Sequence, residues 1–243
     1  MKRGIDKEIS SLERYLKEGG KLLLSMDVQL NGDVFEGLRT FLSEKGVESY
    51  NHLVFDLKRF VSGSKGSIPI VSRFEGKSPI TDGFNGQVFF PVTSHFSWTG
   101  EREEVEIKSL AYSSDKSWGE KRVLDFVTGE QSFNRGEDVM GPLDLVISWE
   151  HKQDKSKMIV FGNSSFISNS YQRFGSHFTF FLNSLSWLVN EKGIISFDLP
   201  SVDNSPIFVS QHQLGVIFYI SVILVPLLLM GLACYFYLRR RRG

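Results

Sequence analysis

The chain has 243 residues, with 28 Lys+Arg against 28 Asp+Glu and a formal net charge of zero. That balance, with no basic stripe interleaved with aromatics, argues against an electrostatic nucleic-acid binder. Twenty-one phenylalanines supply a large core, and the single cysteine, Cys234, rules out an intrachain disulfide or a cysteine-built zinc knuckle.

Ile5, Ile9, Leu12 and Leu16 recur at helical spacing, and Gly19-Gly20 ends that helix. "KLLLSMD" follows as a strand closing on Asp27. Asp33 is placed to cap a second helix with Phe35, Leu38 and Leu42 inward and Gly46 after it, and "HLVFD" is a second strand. Helix, strand, helix, strand at this spacing predicts parallel α/β winding. Between Leu57 and Thr81 the chain is loop-like around a short "IPIVSRF" strand. "QVFFPV" and the alternating run from Glu103 are further strands, and "DKSWGEKRV" reads as polar surface. "GPLDLVISWE" and "KMIVFGN" flank the charged turn "HKQDKSK", which predicts an antiparallel hairpin. A helix is expected from His177 to Glu191 with Phe178, Phe181, Leu182, Leu185 and Leu188 inward, then a last strand, "IISFD".

From Leu214 to Leu238 no residue is charged. The run is about 25 residues long, and ~20 cross a bilayer core. Arg239, Arg240, Arg241 and Arg242 follow directly, and by the positive-inside rule they place the tail in the cytoplasm and the preceding domain outside it. The expected organisation is a domain over 1–200, a linker over 201–213, a membrane helix over 214–238 and a basic tail over 239–243. The start, "MKRGIDKEIS", has no apolar segment of the signal-peptide kind, so the expectation is either that the orientation is reversed or that the chain lacks an upstream piece.

Few residues are arranged for chemistry. "EGKSP" lacks the glycine that a phosphate loop needs five positions before Gly76, where Val71 stands. His52, His95, His151, His177 and His212 are scattered singly, so no metal site is expected. No cofactor is expected either. In "VFGNSSFISN", Ser164 and Ser165 follow Gly162, but a nucleophile elbow needs a second glycine where Phe166 stands. His177 is a base in principle, yet nothing in the spacing brings it to either serine. The plainer reading is a turn in which Asn163, Ser164 and Ser165 bind backbone. Trp118, in a polar stretch, suits an exposed partner contact or a half-buried lid. The weak ligand- or partner-binding set is therefore Asp27, Trp118, Asn163, Ser164 and Ser165.

Six segments in order carry a resemblance: "YLKEGGKLLLSMD", "SPITDGF", "YSSDKSWGE", "GPLDLVISWE", "MIVFGNSSFISN" and "FFLNSLSWLVNEKGIISF". With the terminal apolar helix and its arginines, nearly the whole chain resembles the auxiliary subunits of bacterial ABC-type transport systems, which include gliding-motility-associated proteins. The resemblance implies an extracytoplasmic Rossmann-like, glutamine-amidotransferase-like α/β domain, held at the inner membrane beside an ABC permease and its ATPase. It implies no catalytic set, and only weakly a sugar ligand. Two departures stand out. The family's usual Gly-Asp-Ser-Asp-Phe is Gly162-Asn163-Ser164-Ser165-Phe166 here, with both acids neutral. The family also carries a membrane helix and a strand-rich region ahead of "YLKEGG", so the chain is expected to be the C-terminal part of a split or truncated gene, paired with the product of an upstream reading frame. The alternatives are a membrane-anchored serine hydrolase or amidase using Asn163 to Ser165, and a gene remnant without function.

Overall fold

A computed structural model of the chain describes residues 2–30, 34–99, 103–124, 126, 129, 131–171, 174–189 and 211–241. The chain divides into two units, residues 1–206 and 207–243.

The first unit is a mixed α/β domain. Helix α1 (Lys2–Lys17) leads into β1 (Lys21–Ser25), and α2 (Glu36–Glu44) leads into β2 (Val47–Tyr50) and β3 (Leu53–Asp56). The remaining strands are β4 (Arg73–Phe74), β5 (His95–Trp98), β6 (Val105–Tyr112), β7 (Ser117–Glu120), β8 (Val139–Met140), β9 (Asp144–His151) and β10 (Lys157–Phe161). Helix α3 (His177–Val189) closes the described part of the domain. The main sheet runs β1-β10-β9-β5-β2, with β6 pairing β9 and β4 pairing β6; β3, β7 and β8 form a second, three-stranded sheet.

Both faces of the main sheet are covered, which is why β1 and β10 read as continuous apolar runs. Leu22, Leu24, Met158 and Val160 pack on one side with Leu12 and Leu16 of α1 and Phe41 and Leu42 of α2. Leu23, Ile159 and Phe161 pack on the other side with Phe180, Leu185 and Leu188 of α3. Each such side chain stabilises the fold by about 1.5–3 kcal/mol on full burial.

The predicted β9–β10 hairpin forms, in antiparallel register from Lys157↔Glu150 to Phe161↔Val146. The expected winding of the first two strands does not. The parallel partner of β1 is β10, and "HLVFD" becomes β3 of the second sheet, antiparallel to β7. "DKSWGEKRV" is surface only at its flanks, Asp115, Lys116, Lys121 and Arg122: all four residues of β7 are buried, because β7 lies between β3 and β8. Of the expected inner face of α3, Phe181, Leu185 and Leu188 pack on the core. His177, Phe180, Ser184 and Leu188 are buried, whereas Phe178 is only half-buried. "QVFFPV" forms a single bridge at Phe89 rather than a strand. The Asp33 cap and the "IISFD" strand fall outside the described residues.

The second unit is one long helix: α4 (Gln211–Phe218), a π-helical turn over Tyr219–Leu224, and α5 (Val225–Arg241). Residues Gly215–Arg241, 27 in number, are apolar and long enough to cross a membrane, and none of this stretch is buried. The π turn lies directly before Pro226, whose missing N–H disturbs the helical ladder one turn earlier. Ser221 Oγ donates to the Ile217 carbonyl at 2.6 Å, a bond that satisfies a hydroxyl in an apolar surround. Arg239, Arg240 and Arg241 form the last turn, and Arg242 lies outside the described residues.

Candidate functional site at the ends of two parallel strands

The parallel register of β1 and β10 ends at Ser25↔Phe161, so Asp27 and Asn163 leave the sheet side by side. Four of the five residues singled out in the sequence meet here. In open α/β sheets this carboxyl edge is where ligands sit.

The cluster is built from backbone outward. Asp27 Oδ1 accepts the Ser164 N–H at 2.6 Å and the Asn163 side-chain amide at 3.3 Å. Asn163, itself buried, accepts through Oδ1 from the Ser165 hydroxyl at 3.0 Å and the Phe166 N–H at 2.9 Å. It thereby starts the short 3-10 turn Ser165–Ile167 and seats Phe166 in the core. Gly162 is required by contact: a Cβ there would lie 2.3 Å from the Ser94 carbonyl oxygen and 2.5 Å from Thr93 Oγ1. Ser94 ties the two strand ends together, its N–H donating to Gly162 at 2.9 Å and its hydroxyl to the Met26 carbonyl at 2.6 Å. Ser164 is exposed, and among the described residues its hydroxyl has no hydrogen bond. A docking group would therefore meet the Ser164 hydroxyl and the edge of the Asp27 carboxylate.

The polar network continues away from this loop. Gln29 Nε2 donates to the Asp27 carbonyl at 3.2 Å, and Gln29 and Asn51 exchange reciprocal hydrogen bonds of 2.8 and 2.9 Å. Asn51 precedes His52, and the ring nitrogens His52 Nδ1 and His95 Nε2 are 3.2 Å apart. Tyr50 stacks on His95 at 4.8 Å between centroids and reaches Ser97 through its hydroxyl at 3.0 Å. Gly119 makes room for the pair, since a Cβ there would stand 2.5 Å from His95 Nε2. Burial, and then the neighbouring His52, hold His95 down to about 3, against a weak opposite pull from the Phe96 backbone. Burial and then Lys121 lower His52. Sequence reading missed this pair because its members are 43 residues apart.

His177 does not serve the serines. Its ring stands edge-on to Phe89 at 4.2 Å, near Phe166, and both ring nitrogens are buried without a hydrogen-bond partner. Burial lowers it to about 4. No hydrogen bond joins it to Ser164 or Ser165 among the described residues.

Trp118 lies outside the cluster and is neither exposed nor a lid. It is 6% exposed, stacks on Phe55 at 5.2 Å, and donates through Nε1 to Glu120 Oε2 at 3.4 Å. Glu120, raised by burial, also accepts the Arg122 N–H at 3.1 Å. Asp56 is the other buried carboxylate that sequence reading passed over. It accepts from the N–H groups of Lys58, Arg59 and Ser114 and from the Ser114 hydroxyl, at 2.7–2.9 Å, and so anchors the polar stretch before β7. Among the described residues no three His, Cys, Asp or Glu side chains converge on a metal position.

No protein-family model matches the chain, and neither does any curated protein. Solved structures do. The chain is similar to "mmIFT52 N-terminal domain" at 15% identity and a TM-score of 0.56, covering 78% of this chain and 73% of that one. A ThuA-like protein from Bacteroides uniformis matches at 15% identity and a TM-score of 0.41, over 76% of this chain and 65% of that one. At such identity the first likeness is one of fold alone: the chain is a mixed α/β domain followed by one helix apolar enough to cross a membrane.

Proposed function

We infer that the protein is a non-catalytic, membrane-anchored accessory subunit of an ABC-type transport system. The α/β domain, of the Rossmann-like, glutamine-amidotransferase-like kind, stands outside the cytoplasm. The C-terminal helix anchors it in the inner membrane beside a permease and its ATPase, and the arginine tail lies inside. The observation that carries this reading is the bare apolar helix Gly215–Arg241 ending in arginines. With it goes a loop at the strand ends whose groups are spent on holding one another. The Ser165 hydroxyl donates a hydrogen bond to Asn163, and Asp27 accepts from the loop backbone, which suits a rigid contact surface. The exposed face at Ser164 would meet an envelope partner or a polyhydroxyl ligand through hydrogen bonds to the Ser164 hydroxyl and the Asp27 carboxylate.

Purification of the tagged full chain from detergent-solubilised membranes tests the reading. Co-purification of a permease and an ATPase is the expected result. Recovery of neither, under conditions that keep other transporters intact, would overturn it.

A further inference from the structure

A cleft of about 500 Å³ opens between residues 71–76, around β4, and residues 81–87, with Arg59 also in its lining. Small-molecule sites occupy about 300–1,000 Å³. None of the lining residues belongs to the Asp27–Asn163 loop. The turn that joins the two walls is tied down: the Thr81 hydroxyl donates to the Glu75 carbonyl, and the Thr81 and Asp82 N–H groups return to the Ser78 carbonyl at 3.0 and 2.8 Å. Two lining rings, Phe74 and Phe84, meet edge-on at 4.9 Å, and both lean on the buried Phe180, at 5.4 and 5.6 Å. The core therefore sets the walls before any ligand arrives.

The lining carries two guanidinium groups, Arg59 and Arg73, against one carboxylate, Glu75, in a chain whose net charge is zero. Arg73 is preset: its guanidinium lies over the Tyr112 ring, 4.3 Å from the centroid, across the β4–β6 pair. Asp144, outside the lining, lies within the field of Arg73 and offsets part of its charge, which makes Arg59 the second half of the site. The backbone of Arg59 is fixed, its N–H on the Asp56 carboxylate and its carbonyl accepting the Ile70 N–H, both at 2.9 Å. At Gly76 and Gly83 an added Cβ would meet nothing within 4 Å, so these two lining positions stand open.

We propose that this cleft binds a small, free organic anion through a carboxylate or phosphate group held by Arg59 and Arg73. The planar fork of a guanidinium matches two oxygens of either group at once, and such charge-assisted bonds are the strong ones. The side-chain amides of Asn85 and Gln87 supply donors and acceptors for the rest of the ligand, and Phe84 supplies an apolar surface for its carbon. The assignment does not depend on whether the chain serves a transporter.

The test is isothermal titration of the full chain in neutral detergent micelles, with citrate and inorganic phosphate as probes. Saturable binding of at least one is expected. Arg59→Gln and Arg73→Gln should each weaken it about tenfold, the loss of one charge-assisted contact. Both arginines are exposed, so these variants should keep their circular dichroism. Gly76→Phe, which grows into open space, should abolish binding. Lys121→Gln, which removes an exposed cation outside the lining, should leave it unchanged. Binding of neither probe overturns the proposal, even if the chain takes phosphatidylglycerol from mixed micelles, since the ligand is then a lipid headgroup. A loss in Lys121→Gln equal to that in the arginine variants also overturns it, because net charge alone would then be at work.

Discussion

The Asp27–Asn163 loop and the buried histidines near it both put polar atoms under cover, and they do so in opposite ways. In the loop, an acceptor meets each donor that the fold hides: Asp27 holds the Ser164 N–H and Asn163 holds the Phe166 N–H. His95 has one bond, to a ring that is itself pushed toward neutrality, and His177 has none. The loop is stable because charge and hydrogen bonds balance there. The histidines are stable only while they are uncharged. The same domain therefore has a loop that depends on exact fit and a core that depends on pH.

The most damaging change should fall on the fit. Gly162→Ala sets a methyl 2.3 Å from a backbone oxygen that β5 holds in place. It is expected to cost about 3 kcal/mol in chemical denaturation. An alanine variant as stable as the native chain would mean that the two strand ends are not locked together.

Next comes pH. In the unfolded chain His177 has its usual value of 6.5, and in the fold it is lowered to about 4. Below pH 6.5 the unfolded state therefore takes up the proton first, so stability is full above that value and declines as pH falls toward 4. His95, lowered to about 3, acts in the same direction and over a lower range. His177→Phe, placed between Phe89 and Phe166, removes one of these terms. At pH 5 it should gain on the order of 2 kcal/mol relative to its effect at pH 7.5. Equal effects at both pH values would show that the fold does not lower His177 below its usual value.

A smaller effect tests charge balance in the loop. Asn163→Asp exchanges the amide that donates to Asp27 for a second carboxylate 3.3 Å away. It should cost about 1–2 kcal/mol at pH 7 in chemical denaturation. Ser165→Ala removes a single hydroxyl bond to Asn163 and should cost less than about 1 kcal/mol, because the Phe166 N–H still holds the turn.

What was legible in the sequence follows the range of each signal. Helix α1, the β9–β10 hairpin and the turn at Asn163 are local, and their spacing or turn chemistry declares them. Asp27 was noticed at the end of its strand, but only the parallel pairing of β1 with β10, across more than half the chain, puts it against Asn163. The second sheet was illegible because "DKSWGE" is polar by composition. Its carboxylates and serines are buried by bonding one another and the backbone, as Asp56 does with Ser114, and no periodicity announces that. The histidine pair was hidden for a similar reason. Two singly placed rings become neighbours only through the β2–β5 register, Tyr50↔His95.

The arrangement of the whole is tested most directly at Ser164, the exposed residue of the loop. In a Cys234→Ser background, Ser164→Cys gives the chain one thiol, on the domain surface. A membrane-impermeant maleimide added to intact spheroplasts should label it, since an anchored domain outside the cytoplasm presents this loop to the reagent. Labelling that occurs only after the membrane is broken would put the domain inside and contradict the account.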